Sequence, residues 1–448
     1  MALRKTTMMV TLTALGVVLL AAQPVPKTLE EKYDSGKLKA RYTLGSDNVR
    51  NGTFEVFYEN GKLKESGEYA KGELEGAFWG YHENGQTSLK CRYRNGALDG
   101  QWTAFDDKGK TKSTGEYLAG KKNGVFREFD ASTIVTEQFF IDDQLIFGRS
   151  PDAIAAKLAE IRKIKVETVA PTGGAKEIPA HRGGKQSEDD RIAGARLLME
   201  YRYLCNVPSD ISLDAVYNAH DEAAAALLVD VGKLDHFPPN PGWPEAEYTF
   251  GKTGCSSSNL HMSSGGSNAS SAVRGFMNDS DSSNIDRIGH RRWCINPTMS
   301  KTGFGSSGKF VAMWSFDQSR KSVPTYEFVA YPAPGFFPNT HFDATAAWSV
   351  SLNLEKYEKP DEKKVHISFK PAQITRSPAA IRLGPEMTSN YFHVDTQGFG
   401  IANAIIFRFD KCSTQANSAY QVEITGLQKS GGEAASLKYL VQFYAPGK

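Results

Sequence analysis

The chain has 448 residues, of which 40% are hydrophobic and 23% charged, with a formal net charge of +2. That length exceeds what one ordinary core fills, so about two to four domains are expected. A near-neutral balance with no long run of like charge argues against a nucleic-acid partner, which needs a clustered basic face.

The first residues, MALRKTTMMVTLTALGVVLLAAQPVPK, have a signal-peptide layout: Arg4 and Lys5, an apolar stretch over residues 8–20, then Ala21 and Ala22 as a small-residue cleavage site. The stretch is shorter than the ~20 residues of a bilayer-spanning helix. The expectation is removal of residues 1–22 and export to the periplasm, cell surface or medium, with no transmembrane segment afterwards. Export permits disulfides. The five cysteines (Cys91, Cys205, Cys255, Cys294 and Cys412) are an odd number, however, so a monomer keeps an unpaired thiol.

Residues 51–129 repeat with a period of 24: Gly52, Gly76, Gly100 and Gly124 keep the step, as do Gly61, Gly85 and Gly109. Aromatics follow it too, in Phe54, Phe78, Trp102 and Phe126, and in Tyr69, Tyr93 and Tyr117. Each unit reads as two short strands about a tight turn, where ENG or DKG supplies the glycine that a positive φ requires. The aromatics supply the apolar surface that stacked neighbours bury. The pattern resembles the MORN-like repeats of bacterial surface and antitoxin-type proteins and covers residues 28–148, with degenerate ends as capping units. Cys91 stands where other units have Gly67 and Gly115, which marks it as the unpaired thiol. An elongated hairpin array offers a scaffold surface and no recurring acid, base or nucleophile.

Residues 149–187 read as a helix and a linker. SPDAIAAKLAEIRKIK begins with a Ser-Pro start signal, and VETVAPTGGAKEIPAHRGGKQS is poor in large apolar residues. From Glu188 the composition changes. SEDDRIAGARLLMEYRYLC opens with capping acids and has helical spacing. SLDAVYNAHDEAAAALLVDVGKLDH reads as a second helix with Ser212 as N-cap and Gly232 near its end. CSSSNLHMSSGGSNASS looks like a polar loop, SNASSAVRGFMND like a short helix, and TGFGSSGKFVAMWSFD like two strands about a Gly-rich turn.

Together with GHRRWCINP before TGFG, this order over residues 188–320 resembles the CAP superfamily: the cysteine-rich secretory, antigen 5 and pathogenesis-related proteins. The resemblance implies an α+β domain, an α-β-α sandwich. Its cleft is lined in many members by two histidines and two glutamates able to hold a divalent metal. By position the histidines fall on His236 and His290, one glutamate on Asp279 and the other on Ser258, before Asn259. One carboxylate is thus shortened and the other lost, which weakens a site for a metal such as zinc. The cleft residues implied are His236, Ser258, Asn259, Asp279, His290 and Arg291, with His236, His290 and Asp279 as the metal set. Arg291 and Arg292 can pair with Asp279, Asp281 or Asp286, or stay solvated. Cys255 and Cys294 flank the cleft segments and are the preferred disulfide. A hydrolase is the rival reading, either metal-dependent or serine-type with Ser256, Ser257 or Ser258 as nucleophile, His236 or His290 as base and Asp279 as orienter, although no Gly-x-Ser-x-Gly elbow accompanies it.

Residues 324–448 alternate polar and apolar positions in short runs such as AWSVSLNLE and SAYQVEITGL, which points to an all-β sandwich of immunoglobulin-like type. His341, His366 and His393 have no metal-ligand spacing. The combined expectation is a multidomain, exported, non-enzymatic protein. Its cleft would bind a small ligand, a lipid or a protein, with the repeats as an interaction scaffold.

Overall fold

The computed structural model describes residues 27–170, 182, 186–263, 268–376 and 379–446. The expected signal peptide and most of the linker lie outside the described residues. The chain divides into two compact units, residues 1–111 and 112–448. Among the described residues no helix is long and apolar enough to cross a membrane.

Thirteen strands between Lys27 and Phe147 pair antiparallel in hairpins, eight of them before Thr111 and five from there onward. In the first unit each turn glycine takes the positive φ its place demands, 85° at Gly61 and 93° at Gly85. Successive hairpins are tied at the same step as the sequence repeat. Tyr33 Oη donates to the Phe57 carbonyl at 2.7 Å and Tyr58 Oη to that of Tyr81 at 2.7 Å. His82 Nε2 donates to that of Phe105 at 3.1 Å. Between the strands runs an aromatic ladder, with ring centroids 5.0 Å apart for Phe54 and Tyr69 and 5.5 Å for Phe78 and Tyr93. The ring of Phe54 lies over Gly67 across the strand pair. Cys91 takes the equivalent place opposite Phe78, where it is buried and free.

The second unit opens on the remaining hairpin strands, whose Phe139 and Phe147 enter a large core. Helix α1 (Pro151–Ile161) starts where Ser150 accepts a hydrogen bond from the Ala153 amide. α2 (Glu188–Leu204) is capped by Ser187, with three acids in its first turn that suit the helix dipole. α3 (Ala215–Val231) is capped by Asp214 and not by Ser212, because Asp214 Oδ1 reaches the amides of Val216 and Tyr217. It ends at Gly232 with φ 82°. α4 (Glu245–Ser257), α5 (Ala269–Asn278) and the short α6 (Gly289–Cys294) follow.

These helices pack around a three-stranded antiparallel sheet in which Phe310–Trp314 lies between Ser258–Met262 and Phe304–Ser307. Of the stretch taken for a polar loop, residues 255–257 therefore end α4 and Ser258–Met262 is a strand. The TGFG glycines have a packing reason: a Cβ on Gly303 would sit 2.5 Å from the Tyr217 carbonyl carbon, and one on Gly305 2.0 Å from the Glu222 nitrogen. Only a bare backbone can approach α3 so closely.

The C-terminal strands form a four-stranded and a five-stranded sheet. Trp348 and Phe407 of the first meet Phe369 and Phe443 of the second, with centroids 5.0 Å apart for Trp348 and Phe369. A single buried cluster runs from Phe147 through Leu158, Leu198, Phe276 and Phe304 to Trp348 and Phe443. The helical region and the C-terminal strands thus share one core inside one compact unit, where the sequence divided them at residues 320–324.

Candidate functional site

His236, in the segment after α3, and His290, on α6, meet across one groove with ring centroids 6.5 Å apart and planes 29° from parallel. His236 Nδ1 lies 2.8 Å from the Cys255 carbonyl, and His290 Nδ1 lies 2.8 Å from Asp279 Oδ1. A carbonyl and a carboxylate can only accept, so both Nδ1 atoms carry the proton. The Nε2 atoms are not used by these bonds, and in a neutral ring Nε2 is a lone-pair acceptor. Burial, with the nearby His290, lowers the His236 pKa from its ordinary value and favours that neutral form, although the Cys255 carbonyl opposes the shift.

The backbone around His290 is held in costly conformations. Asp279 ends α5 with φ 44°, and Ile288 begins α6 with φ 41°, a region that β-branched residues avoid at a cost of about 1–3 kcal/mol. Asn259, on the buried strand, donates to the His290 carbonyl at 2.9 Å. Arg202 gives both terminal nitrogens to the turn behind, reaching the carbonyls of Cys294, Asn296 and Met299, while its Nε donates to the Pro208 carbonyl. The surroundings thus over-determine the imidazole's position.

The groove measures about 590 Å³, a size that suits a small molecule. Its lining includes Leu234, Phe237, Trp293, Phe316 and Phe399, with Arg287 at hand. Phe316 stacks on Trp293 at 4.2 Å, and both Phe237 (73% exposed) and Phe316 (49%) stand out into solvent. A second hollow, with more polar residues, lies on the other side of His290 and adds His261, Asp281, Thr345 and Arg408. Burial likewise lowers the pKa of His261.

Ser258 and Asn259 line the same groove as the two histidines. Ser258 Oγ is committed to the buried Asp221, to which it donates at 2.6 Å. Ser256 Oγ donates to the Thr253 carbonyl. Among the described residues no serine hydroxyl is bonded to His236 or His290, so the Ser-His arrangement of the hydrolase reading is not assembled. Asp279 is spent behind His290, since its second oxygen accepts from the Arg291 amide at 3.2 Å. It orients the ring and does not stand beside both histidines as a third ligand. Among the described residues no group of three or more His, Cys, Asp or Glu could hold a metal ion. Two imidazoles fall short of the three protein ligands usual for catalytic zinc.

Arg291 is not a cleft residue. It is fully buried, donating to the carbonyls of Met277, Asn278 and Ala347 and to Ser349 Oγ. Arg292 is buried as well and forms an ion pair with Asp395, while its fork also reaches the carbonyls of Ile401, Gln397 and Arg287. The two guanidiniums therefore clasp the C-terminal sheets, and neither takes the expected Asp281 or Asp286. The Cys255–Cys294 disulfide is not formed. Cys255 lies in a small cluster against α3, where its sulfur meets the Ala224 carbonyl, whereas Cys294 belongs to the main core and meets Asn259 Nδ2 at 3.5 Å.

Sequence reasoning missed Phe399, which lines the groove, and Thr345 and Arg408, which line the second hollow; all three come from a region read as a separate module. It also passed over the aromatic pair Trp293 and Phe316, which stand inside the quoted GHRRWCINP and TGFGSSGKFVAMWSFD stretches. Among family models, the MORN repeat variant matches residues 50–71. No curated protein matches the chain. Among solved structures, a crystal structure of a GtfA/B complex bound to UDP and GlcNAc is similar over 34% of this chain and 30% of that one. The identity is 13% and the TM-score 0.12, a likeness too low to carry an argument.

Proposed function

We propose that the protein is a non-enzymatic binding protein whose groove between His236 and His290 takes a small ligand with an apolar body and a hydroxyl or N–H head. The observation that carries this reading is the pair of anchored imidazoles, each keeping an Nε2 acceptor, that line one aromatic-rimmed groove. A ligand head that donates would satisfy them, while Phe237, Trp293, Phe316 and Phe399 would cover its body. The middle region is read as CAP-like and the C-terminal sheets as immunoglobulin-like, with the hairpin array as interaction scaffold and the whole chain exported. Helices packed about a small antiparallel sheet, and the two histidines across a groove, support the first of these. The matched MORN repeat variant supports the scaffold.

The test is calorimetric titration of the full chain with a straight-chain alcohol and with its methyl ether, which keeps the body and loses the donor. Saturable binding of the alcohol, with the ether about tenfold weaker, is expected for one lost hydrogen bond to a buried acceptor. Equal binding of both, or binding unchanged in His236→Phe, would sink the reading. A second reading draws on the same nitrogens: a divalent cation such as zinc joining His236 and His290, with Asp279 orienting the latter from behind. Zinc titration that blocks the alcohol and is abolished in His236→Phe would favour it.

A further inference from the structure

None of the residues lining the histidine groove lines another hollow of about 560 Å³, whose walls carry Arg162, Arg196 and Arg274. The three come from separate elements: Arg162 caps the end of α1, Arg196 lies on α2 and Arg274 on α5. The one carboxylate among the described lining residues is Glu200, and it is already committed. Arg162 grips it with Nε 2.7 Å from Oε1 and Nη2 3.2 Å from Oε2, and His341 Nε2 lies 2.7 Å from the same Oε2. Burial alone would raise the Glu200 pKa, but the hydrogen bonds from His341 and Arg162 outweigh it and hold the carboxyl below its usual range, so it stays ionised and paired.

The other two guanidiniums have no such partner. Arg196 gives Nε and Nη2 to the Ile164 carbonyl, a neutral acceptor that leaves its charge uncompensated. Arg274 reaches the Tyr201 hydroxyl, and among the described residues no ion pair neutralises either Arg196 or Arg274. Ser270, in the first turn of α5 just after the Asn268 cap, and Thr340 add hydroxyls to the same walls. Two guanidiniums with no ion-pair partner among the described residues line one hollow beside the Arg162–Glu200–His341 group, which is chemistry matched to an oxyanion. The fork geometry suits phosphate in particular.

We propose that this hollow binds a small, multiply charged oxyanion, a phosphate or phosphate monoester, through Arg196 and Arg274, with Arg162, Glu200 and His341 holding the floor. The volume exceeds a bare phosphate and leaves room for the organic part of a small phosphorylated molecule.

The experiment titrates the full chain with inorganic phosphate and with a soluble sugar phosphate by calorimetry. Phosphatidylcholine vesicles containing phosphatidic acid form a separate arm. Saturable binding is expected for the soluble anions, weakened about tenfold or more in Arg274→Gln, whose exposed position spares the fold, and weakening with added salt. Arg196→Lys, which keeps charge but loses the fork, should weaken binding less than Arg196→Gln. His290→Asn in the other groove should leave it unchanged. Binding that is equal in the parent and Arg274→Gln marks an adventitious ion only and overturns the proposal. So does the absence of saturable binding, or binding to the vesicles without binding to either soluble anion.

Discussion

Arg292→Ala tests the account of the GHRRW segment most directly. The Arg292 and Asp395 side chains are 1% and 6% exposed, so the pair is desolvated on both sides. Truncating Arg292 strands a buried carboxylate whose remaining support is the Gln397 amide at 2.9 Å. It also removes the donor from three carbonyls, those of Ile401, Gln397 and Arg287. Breaking a buried ion pair from one side costs about 3–5 kcal/mol, and each orphaned acceptor adds to that. Against a domain stability of about 5–15 kcal/mol, the variant should lose a large share of its margin. Urea unfolding of the full chain, followed by tryptophan fluorescence, reads the midpoint of the transition. Replacing both partners, Arg292→Met with Asp395→Leu, should recover much of the loss because no charge is left stranded. A single variant within about 1 kcal/mol of the parent, or a double variant no better than the single, would refute the clasp.

Three further outcomes are expected. Burial pushes the Asp221 carboxyl up to about 8, against the opposing bonds from Ser258 and Trp314. The folded state therefore holds that proton more tightly than the unfolded one, and stability should fall as pH rises from 3.8 toward 8. Asp221→Asn should flatten melting temperature across that window; parallel curves would count against it. Gly115→Ala should cost about 1–3 kcal/mol in chemical denaturation, because the new Cβ would lie 2.2 Å from Phe126 Cε1. Tyr58→Phe should cost about 1 kcal/mol by loss of the bond to the Tyr81 carbonyl, and no change in the unfolding midpoint would remove that clamp from the account.

The hairpin array was legible because its period is local: a turn glycine, a cross-strand aromatic and a small residue recur at fixed steps, each with a short-range cause. The starts of α1 and α2 were legible for the same reason, since Ser150 and Ser187 act within one turn. Asp214 displaced Ser212 because which side chain caps depends on where the preceding strand stops. α4 went unread because its glycines and serines look like loop, whereas Gly254 is small to let α4 lie against the His220 carbonyl of α3. The two histidines could be paired through the family resemblance, but their tautomers depend on Cys255 and Asp279, which only the fold brings to them. The roles of the arginines were illegible in principle, because five of their acceptors, Ala347, Ser349, Asp395, Gln397 and Ile401, lie beyond residue 340 and no local pattern announces them.

Within six residues, α6 turns His290 and Trp293 to the groove and two arginines into the neighbouring sheets. A fragment cut near residue 320 would keep His290 yet leave two guanidiniums bare and delete Phe399 from the groove wall. Shuffling the C-terminal strands onto another chain would unmake the pocket as surely as mutating it. The boundary suggested by the polar–apolar alternation thus falls inside one shared core.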